Sequence, residues 1–406
     1  MLGLTLEGGG SKGAYQIGAW QAFRELGIEF QGITGTSVGA LNGALMIQED
    51  FENAYDLWSN ITPHMVMDID DRIYEMLSGH QLNAANIHII LEEIGRFIKG
   101  FGFDTKPLEK LVHQTMDEER IRRCRKDFGF VTVSLTEFKP LEIFKEEVPL
   151  GKMADYLIAS SYLPIFKSKK LDGKKFLDGS FYNNLPIDML YNRGYKKIIA
   201  VRLLSRGRIK KIEKEDLEVI YIQPTQDLGN ILDFTQNRSH YNMKLGYFDT
   251  LRVFKQLMGK RYYIKEGIKE EEALKLLMNL EEEAIKSLGK LYGLSPHKGT
   301  NRLLLEDIVP KWIGLMGLEE DCKYKDVIVG LVEAIGDYNK VDPFHIYTLP
   351  ELLGKGFNAY GHRDEIEEDR GRSVLFKKEL LLKLNKDKLL EETIKVVLKY
   401  HHNLKL

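Results

Sequence analysis

Two glycine-rich turns constrain this chain more than any other feature. Gly8-Gly9-Gly10-Ser11-Lys12-Gly13 and Gly35-Thr36-Ser37-Val38-Gly39 each fall between a short apolar run and a helical pattern. Leu2, Leu4 and Leu6 alternate as a strand before the first turn. Ile17, Trp20, Phe23 and Leu26 then lie on one face of a helix from about Ala14 to Leu26, and Gly27 supplies a stop. Phe30 to Ile33 predicts a second strand, and Ser37 to Gln48 a second helix. This βαβα order calls for a parallel sheet with helices packed against it. Ligands of such sheets bind outside the carboxyl ends of the strands, which puts both turns beside one site.

The rest of the chain sets the scale. With 406 residues, 43% of them hydrophobic, it can bury a large core. Its 58 Lys and Arg against 60 Asp and Glu give a net charge of −2, which argues against nucleic acid as a partner. Cys124 and Cys322 stand alone, so there is no cysteine-based zinc site, and a reducing compartment is expected. The N-terminus has no basic region before its apolar residues and does not read as a signal peptide. The longest uncharged run, Phe30 to Gln48, carries four glycines and reads as strand–turn–helix rather than a membrane span. A cytoplasmic location follows as the expectation.

Residues 51 to 125 read as mostly helical. An apolar stripe through Ile87, Ile90, Leu91, Ile94, Phe97 and Ile98 reads as a helix packed on the core, with a lid or membrane-touching helix as the alternative. Strand patterning resumes at Gly129–Leu135, Leu141–Phe144, Lys197–Leu204 and Glu218–Ile222, and a basic stretch at Arg206–Lys214 reads as a solvated loop. Beyond about residue 260, Leu/Lys/Glu-rich helical periodicity dominates, as in Glu271–Leu288 and Lys378–Leu398. The expected division is 1–260 and 261–406, the second part mainly helical and without a motif.

Taken alone, the first turn fits the GxGxxG dinucleotide fingerprint, and it is not a phosphate-binding loop of the GxxxxGK[ST] kind. A dinucleotide site asks for an acidic residue near the end of the second strand, whereas this strand runs into Gly32-Ile33-Thr34-Gly35-Thr36-Ser37. The second turn fits GxSxG. A serine at a sharp strand-to-helix turn is exposed in strained backbone, and the positive end of the next helix faces charge developing beside it. Ser37 is therefore a candidate nucleophile; the bland alternative is a helix N-cap. An α/β-hydrolase places several strands before its nucleophile, and here a single βα unit precedes Ser37. None of the ten histidines sits in a turn with a signature of its own. Phe176-Leu177-Asp178-Gly179-Ser180 ends a short apolar run in a carboxylate, which on its own also reads as an Asp-Gly hairpin turn.

GGGSKG at 8–13, GTSVGA at 35–40, ASSYLPIF at 159–166 and DGSFYNNLP at 178–186 together resemble the patatin-like phospholipases. The four motifs occur in the family's order, and the resemblance covers roughly residues 1–260. It implies a three-layer α/β fold, with a mostly parallel central sheet flanked by helices. It also implies hydrolysis of lipid acyl esters by a Ser–Asp dyad without histidine. The nucleophile then falls on Ser37 and the base on Asp178. The oxyanion hole falls on the backbone of Gly9, Gly10 and Ser11, and Lys12 occupies the family's basic position. Gly8, Gly13, Gly35, Gly39 and Gly179 support the turns. The family usually has Asp-Gly-Gly or Asp-Gly-Ala where this chain has Ser180. The implied partners are a lipid ester and, peripherally, a membrane or lipid aggregate; no cofactor or metal is required. A carboxylate base would ordinarily titrate near pH ~4. A dinucleotide-binding protein, or a non-catalytic lipid-binding protein on the same fold, are the other classes considered.

Overall fold

The computed structural model describes residues 1–71, 74–75, 103–163, 166, 170–171, 173–294, 299–367 and 386–400. The stripe at 87–98 lies outside these residues, as do 378–385 of the expected C-terminal helix. The chain divides into two compact units, Met1–Val253 and Phe254–Leu406.

The first unit is built on an eight-stranded sheet in the order β5-β6-β3-β2-β1-β7-β8, with β4 paired to β3 off this path. Its strands are β1 (Leu2–Leu6), β2 (Gly32–Thr36), β3 (Asp127–Ser134), β4 (Lys139–Phe144), β5 (Lys170–Leu171), β6 (Lys174–Asp178), β7 (Lys197–Val201) and β8 (Glu218–Ile222). β1 pairs in parallel with β2 and β7, β2 with β3, and β7 with β8, while β4 and β6 run antiparallel to β3. Helix α1 (Ala14–Glu25) follows the first turn and α2 (Val38–Ile47) the second. Gly43 of α2 lies against Phe128, Ile33 and Leu6 on one face of the sheet. On the other face, Leu190 of the helix Ile187–Asn192 packs against Gly3 and Gly32. Helices thus cover both faces, and the three-layer arrangement is complete.

β2 begins two residues later than hydrophobicity suggests. Gln31 engages Leu2 twice, its N–H donating to the Leu2 carbonyl at 2.9 Å and its side-chain oxygen accepting the Leu2 N–H at 2.7 Å. Phe30 turns to meet Phe23 edge-on, ring centres 5.0 Å apart. The strand itself, Gly-Ile-Thr-Gly-Thr, is wholly buried. Its small residues fit because neighbours crowd it: a Cβ on Gly32 would stand 2.5 Å from the Tyr195 hydroxyl.

The second unit is mainly helical, around a core that includes Trp312, Leu277, Ile335, Leu352 and Leu398. The helix expected over 271–288 is two, Glu270–Met278 and Glu282–Leu291, broken at Asn279. A parallel pair of two-residue strands, β9 (Tyr263–Ile264) with β10 (Ile346–Tyr347), was invisible to periodicity because two residues carry no period. One oxygen of Glu333 accepts the successive N–H groups of Lys260, Arg261 and Tyr262, each at 2.8 Å.

β1 and α2 approach each other closely at Gly39. A Cβ on Gly39 would lie 2.4 Å from the Leu6 carbonyl oxygen, a rigid backbone atom. Gly39→Ala should therefore destabilise the fold by about 1–3 kcal/mol and lower Tm by several degrees. Thermal unfolding of the two proteins side by side checks this.

Candidate active site

Ser37 is held in a conformation few non-glycine residues adopt, with φ 56° and ψ −128°. Several bonds impose it. The Ser37 N–H donates to Ser160 Oγ at 3.0 Å, and that hydroxyl donates to the Val131 carbonyl at 2.6 Å. The Ser37 carbonyl accepts from Ala40 and Leu41 as α2 begins. One residue earlier, the Thr36 hydroxyl donates to the Asn183 carbonyl at 2.8 Å. The serine is 6% exposed and sits at the N-terminus of α2, where the helix dipole is positive.

Asp178 reaches the same point from another direction. β4 occupies one edge of β3 along residues 129–134. The other edge is shared: β2 pairs along 127–131 and β6 along 132–134, so Thr36 faces Val131 and Asp178 faces Thr132. The two strands meet end to end. Close contact of Gly179 with Thr36 and the Val131 carbonyl confirms the junction, where a Cβ would stand 2.9 Å and 2.2 Å away. Asp178-Gly179 is thus no hairpin turn; it ends β6 and opens a short 3-10 helix, Gly179–Phe181.

The Asp178 carboxylate is fully buried. Its Oδ1 accepts the Ser180 N–H at 2.8 Å, while Oδ2 has no hydrogen-bond partner among the described residues. Burial pushes its pKa above the ordinary carboxylate value; the Ser37 hydroxyl and Ser180 oppose that shift without overcoming it.

The first glycine turn flanks the pair. Gly8 donates its N–H to the Asn184 carbonyl at 3.2 Å, and a Cβ there would press on Ser37. Gly10 has φ 57° and lies so close to the Ile231 carbonyl that a Cβ would stand 2.3 Å from it. The N–H groups of Gly9 and Gly10 donate to nothing among the described residues. Ser11 differs from the expectation. Its N–H donates to the Ile231 carbonyl at 2.9 Å and its hydroxyl to the Asn230 carbonyl at 2.8 Å. Both donors are engaged, so Ser11 pins the turn and leaves Gly9 and Gly10 as the free pair. Among the described residues the Lys12 side chain makes no ion pair, and Gly13 packs on Val38 and Trp58.

An apolar cavity opens beside Ser37. Its volume is about 80 Å³, and it is partly open to solvent. Leu41, Leu45, Trp58, Leu108, Val112 and Phe234 are among its walls, and none of its described lining residues is a histidine. Sequence reasoning missed Ser160, Asn183 and Glu7 as supports.

Residues 4–191 match the model of the patatin-like phospholipase family. They are a patatin-like phospholipase domain. Neuropathy target esterase sws of Drosophila melanogaster is 28% identical over 212 residues, which are 50% of this chain and 13% of that protein. Patatin-like phospholipase domain-containing protein 7 of Rattus norvegicus is 26% identical over 209 residues, 50% of this chain and 14% of its own length. Protein 6 of that designation in Homo sapiens is 25% identical over 214 residues, again 50% of this chain and 13% of its own. The chain therefore matches only a minor part of the length of these relatives. The crystal structure of VipD from Legionella pneumophila overlies 98% of this chain and 91% of its own, with TM-score 0.38 and 15% identity. That score is too low to add to the fold described above.

Within the patatin-like domain, Asp178 carries a thermodynamic signature. Because its folded pKa is raised, its stabilising contribution is full below the unfolded value near ~4 and is lost as pH rises through the folded pKa. Asp178→Asn keeps the Oδ1 bond to Ser180, places a donor where Oδ2 is orphaned and removes the buried charge. It should raise Tm by a few degrees at pH 8, and the gain should shrink as pH is lowered. Melting curves across pH 5–8 test this; a lower Tm at pH 8 would contradict it.

Proposed function

We propose that this protein is a serine lipid acyl hydrolase in which Ser37 is the nucleophile and Asp178 the base. One observation carries the reading: a strained serine at a strand-to-helix junction stands beside a buried, half-unpartnered carboxylate and opens onto an apolar cavity. The apolar lining of the cavity suits an acyl chain, and family membership of residues 4–191 supports lipid esters as substrates.

The chemistry runs in two steps. Asp178 takes the Ser37 proton as Oγ attacks the ester carbonyl, and the carbonyl oxygen becomes an oxyanion. The free N–H groups of Gly9 and Gly10, with the N-terminus of α2, stabilise that charge; one such donor contributes roughly 3–4 kcal/mol. The intermediate collapses to an acyl-enzyme as the alcohol leaves with the proton held by Asp178. A water, deprotonated by the same carboxylate, then attacks the acyl carbon. The fatty acid departs and Ser37 regains its proton. Burial assists here, because a carboxylate with a raised pKa is a stronger base near neutral pH.

The acyl-transfer machinery belongs to the first unit. No helix among the described residues is long and apolar enough to cross a membrane, and we infer peripheral contact with lipid. The free thiols Cys124 and Cys322 suit a reducing cytoplasm.

Ser37→Ala should abolish release of fatty acid and of p-nitrophenol from acyl esters, with Tm within a few degrees of wild type. A fluorophosphonate should label Ser37; labelling elsewhere, or turnover surviving in the variant, defeats the assignment. The pH profile gives a second check. Since the basic form of Asp178 is active and its pKa is raised, kcat should rise with pH along a limb above the ordinary carboxylate range near ~4. Burial of the carboxyl places that limb above the ~4 of an ordinary carboxylate. It should vanish in Asp178→Asn and persist when His64 or His113 is replaced.

A further inference from the structure

Glu7 ends at the edge of the glycine turn, and its carboxylate is fully buried. Its Oε2 accepts Arg202 Nε at 2.7 Å, the Leu203 N–H at 2.8 Å and the Leu204 N–H at 3.3 Å. Its Oε1 accepts the Ser205 N–H at 3.3 Å and Asn184 Nδ2 at 3.5 Å. The loop leaving β7 is therefore wrapped around this one carboxylate. The same loop is the wall of the glycine turn: a Cβ on Gly9 would meet Ser205 Oγ at 2.4 Å and the Leu203 side chain at 2.8 Å. Asn184 closes the circuit, with Nδ2 donating to the Gly8 carbonyl at 3.2 Å and its own carbonyl accepting the Gly8 N–H. The Glu7 backbone is held as well, its N–H by the Val201 carbonyl and its carbonyl by Gln16 Nε2 at 2.7 Å.

We infer that Glu7 is a positioning residue for the oxyanion donors. By gathering residues 202–205 and Asn184 around its carboxylate, it holds the Gly8-Gly9-Gly10 turn so that the Gly9 and Gly10 N–H groups stay free and aimed beside Ser37. The role needs a carboxylate. Two acceptor oxygens serve all five donors, whereas a glutamine would turn an NH₂ toward one of the two donor sets. A donor facing donors in a dry site pushes the loop away. Arg202, 22% exposed on its side chain, supplies the counter-charge from the solvent side. This inference rests on the acyl-hydrolase reading and on the oxyanion role of the turn.

The test compares full-length wild type, Glu7→Gln, Arg202→Gln and Ser37→Ala on a short-chain p-nitrophenyl ester. Active sites are counted by fluorophosphonate labelling. For Glu7→Gln, kcat per labelled site should fall about 10–100-fold with KM within about threefold, because misaimed donors fail the transition state more than the substrate. The rate of phosphonylation, which also builds charge on an oxygen in that hole, should fall by a similar factor. Arg202→Gln should show the same pattern at about 3–10-fold, and it decides the matter if Glu7→Gln does not fold. A wild-type kcat per labelled site overturns the inference even if Tm drops, since the pair is then purely structural. A raised KM with unchanged kcat overturns it as well. Turnover surviving in Ser37→Ala removes instead the reading on which the inference stands.

Discussion

The site depends on one edge of β3. A strand has two edges, and here β4 takes one while β2 and β6 divide the other between them. Strands arriving end to end from opposite directions bring their terminal residues together without a loop to span the gap. Ser37 follows the last paired residue of β2, and Asp178 is the residue of β6 paired with Thr132. The glycines at the junction are steric consequences of this arrangement. Gly179 has no room for a Cβ against the Val131 carbonyl, and Gly35 has none against that of Gly39.

A buried polar relay ties the turns to the cavity. From the Glu7 carbonyl it passes to Gln16 Nε2, from Gln16 Oε1 to Asn42 Nδ2, and from Asn42 Oδ1 to Trp58 Nε1 at 3.0 Å. Asn42 Nδ2 also reaches the Gly13 carbonyl at 3.0 Å. Trp58 is part of the cavity wall. One set of hydrogen bonds thereby positions the glycine turn, α1, α2 and the apolar lining relative to each other. Such a network is worth most when every member is satisfied, because each orphaned group in a dry interior costs free energy.

Asp178 is the place where the fold accepts that cost. Its Oδ2 is buried without a partner, and its carboxyl is pushed toward the neutral form. A residue chosen for stability alone would be neutral there. Glu7, directly after β1, shows the contrasting case: equally buried, yet its carboxylate meets a guanidinium, three backbone N–H groups and an amide. Two buried carboxylates thus have opposite surroundings, one with an oxygen left unpartnered among the described residues and one saturated with donors.

How far the molecule could be read in advance followed the range of the forces involved. The opening βαβα order, the helix stop at Gly27 and the place of Ser37 between strand and helix are matters of local sterics and periodicity, which neighbouring residues express directly. The start of β2 was misread because a strand of Gly and Thr hides from hydrophobic patterning when its neighbours crowd it. The break at Asn279 and the short pair β9–β10 escaped for want of a period long enough to register. The motif around Asp178 was visible as a string of residues, but its meeting with Ser37 was implied by family resemblance alone, since register along a shared strand edge is a property of pairing between distant segments. Likewise, nothing in Gly-Gly-Gly-Ser says that Ser11 spends its donors on residues 230 and 231, or that Glu7 gathers a loop from beyond β7. Local backbone geometry is written in adjacent residues; which donors remain free, and which carboxylate is left without a partner, is settled only when the whole sheet and its loops close around them.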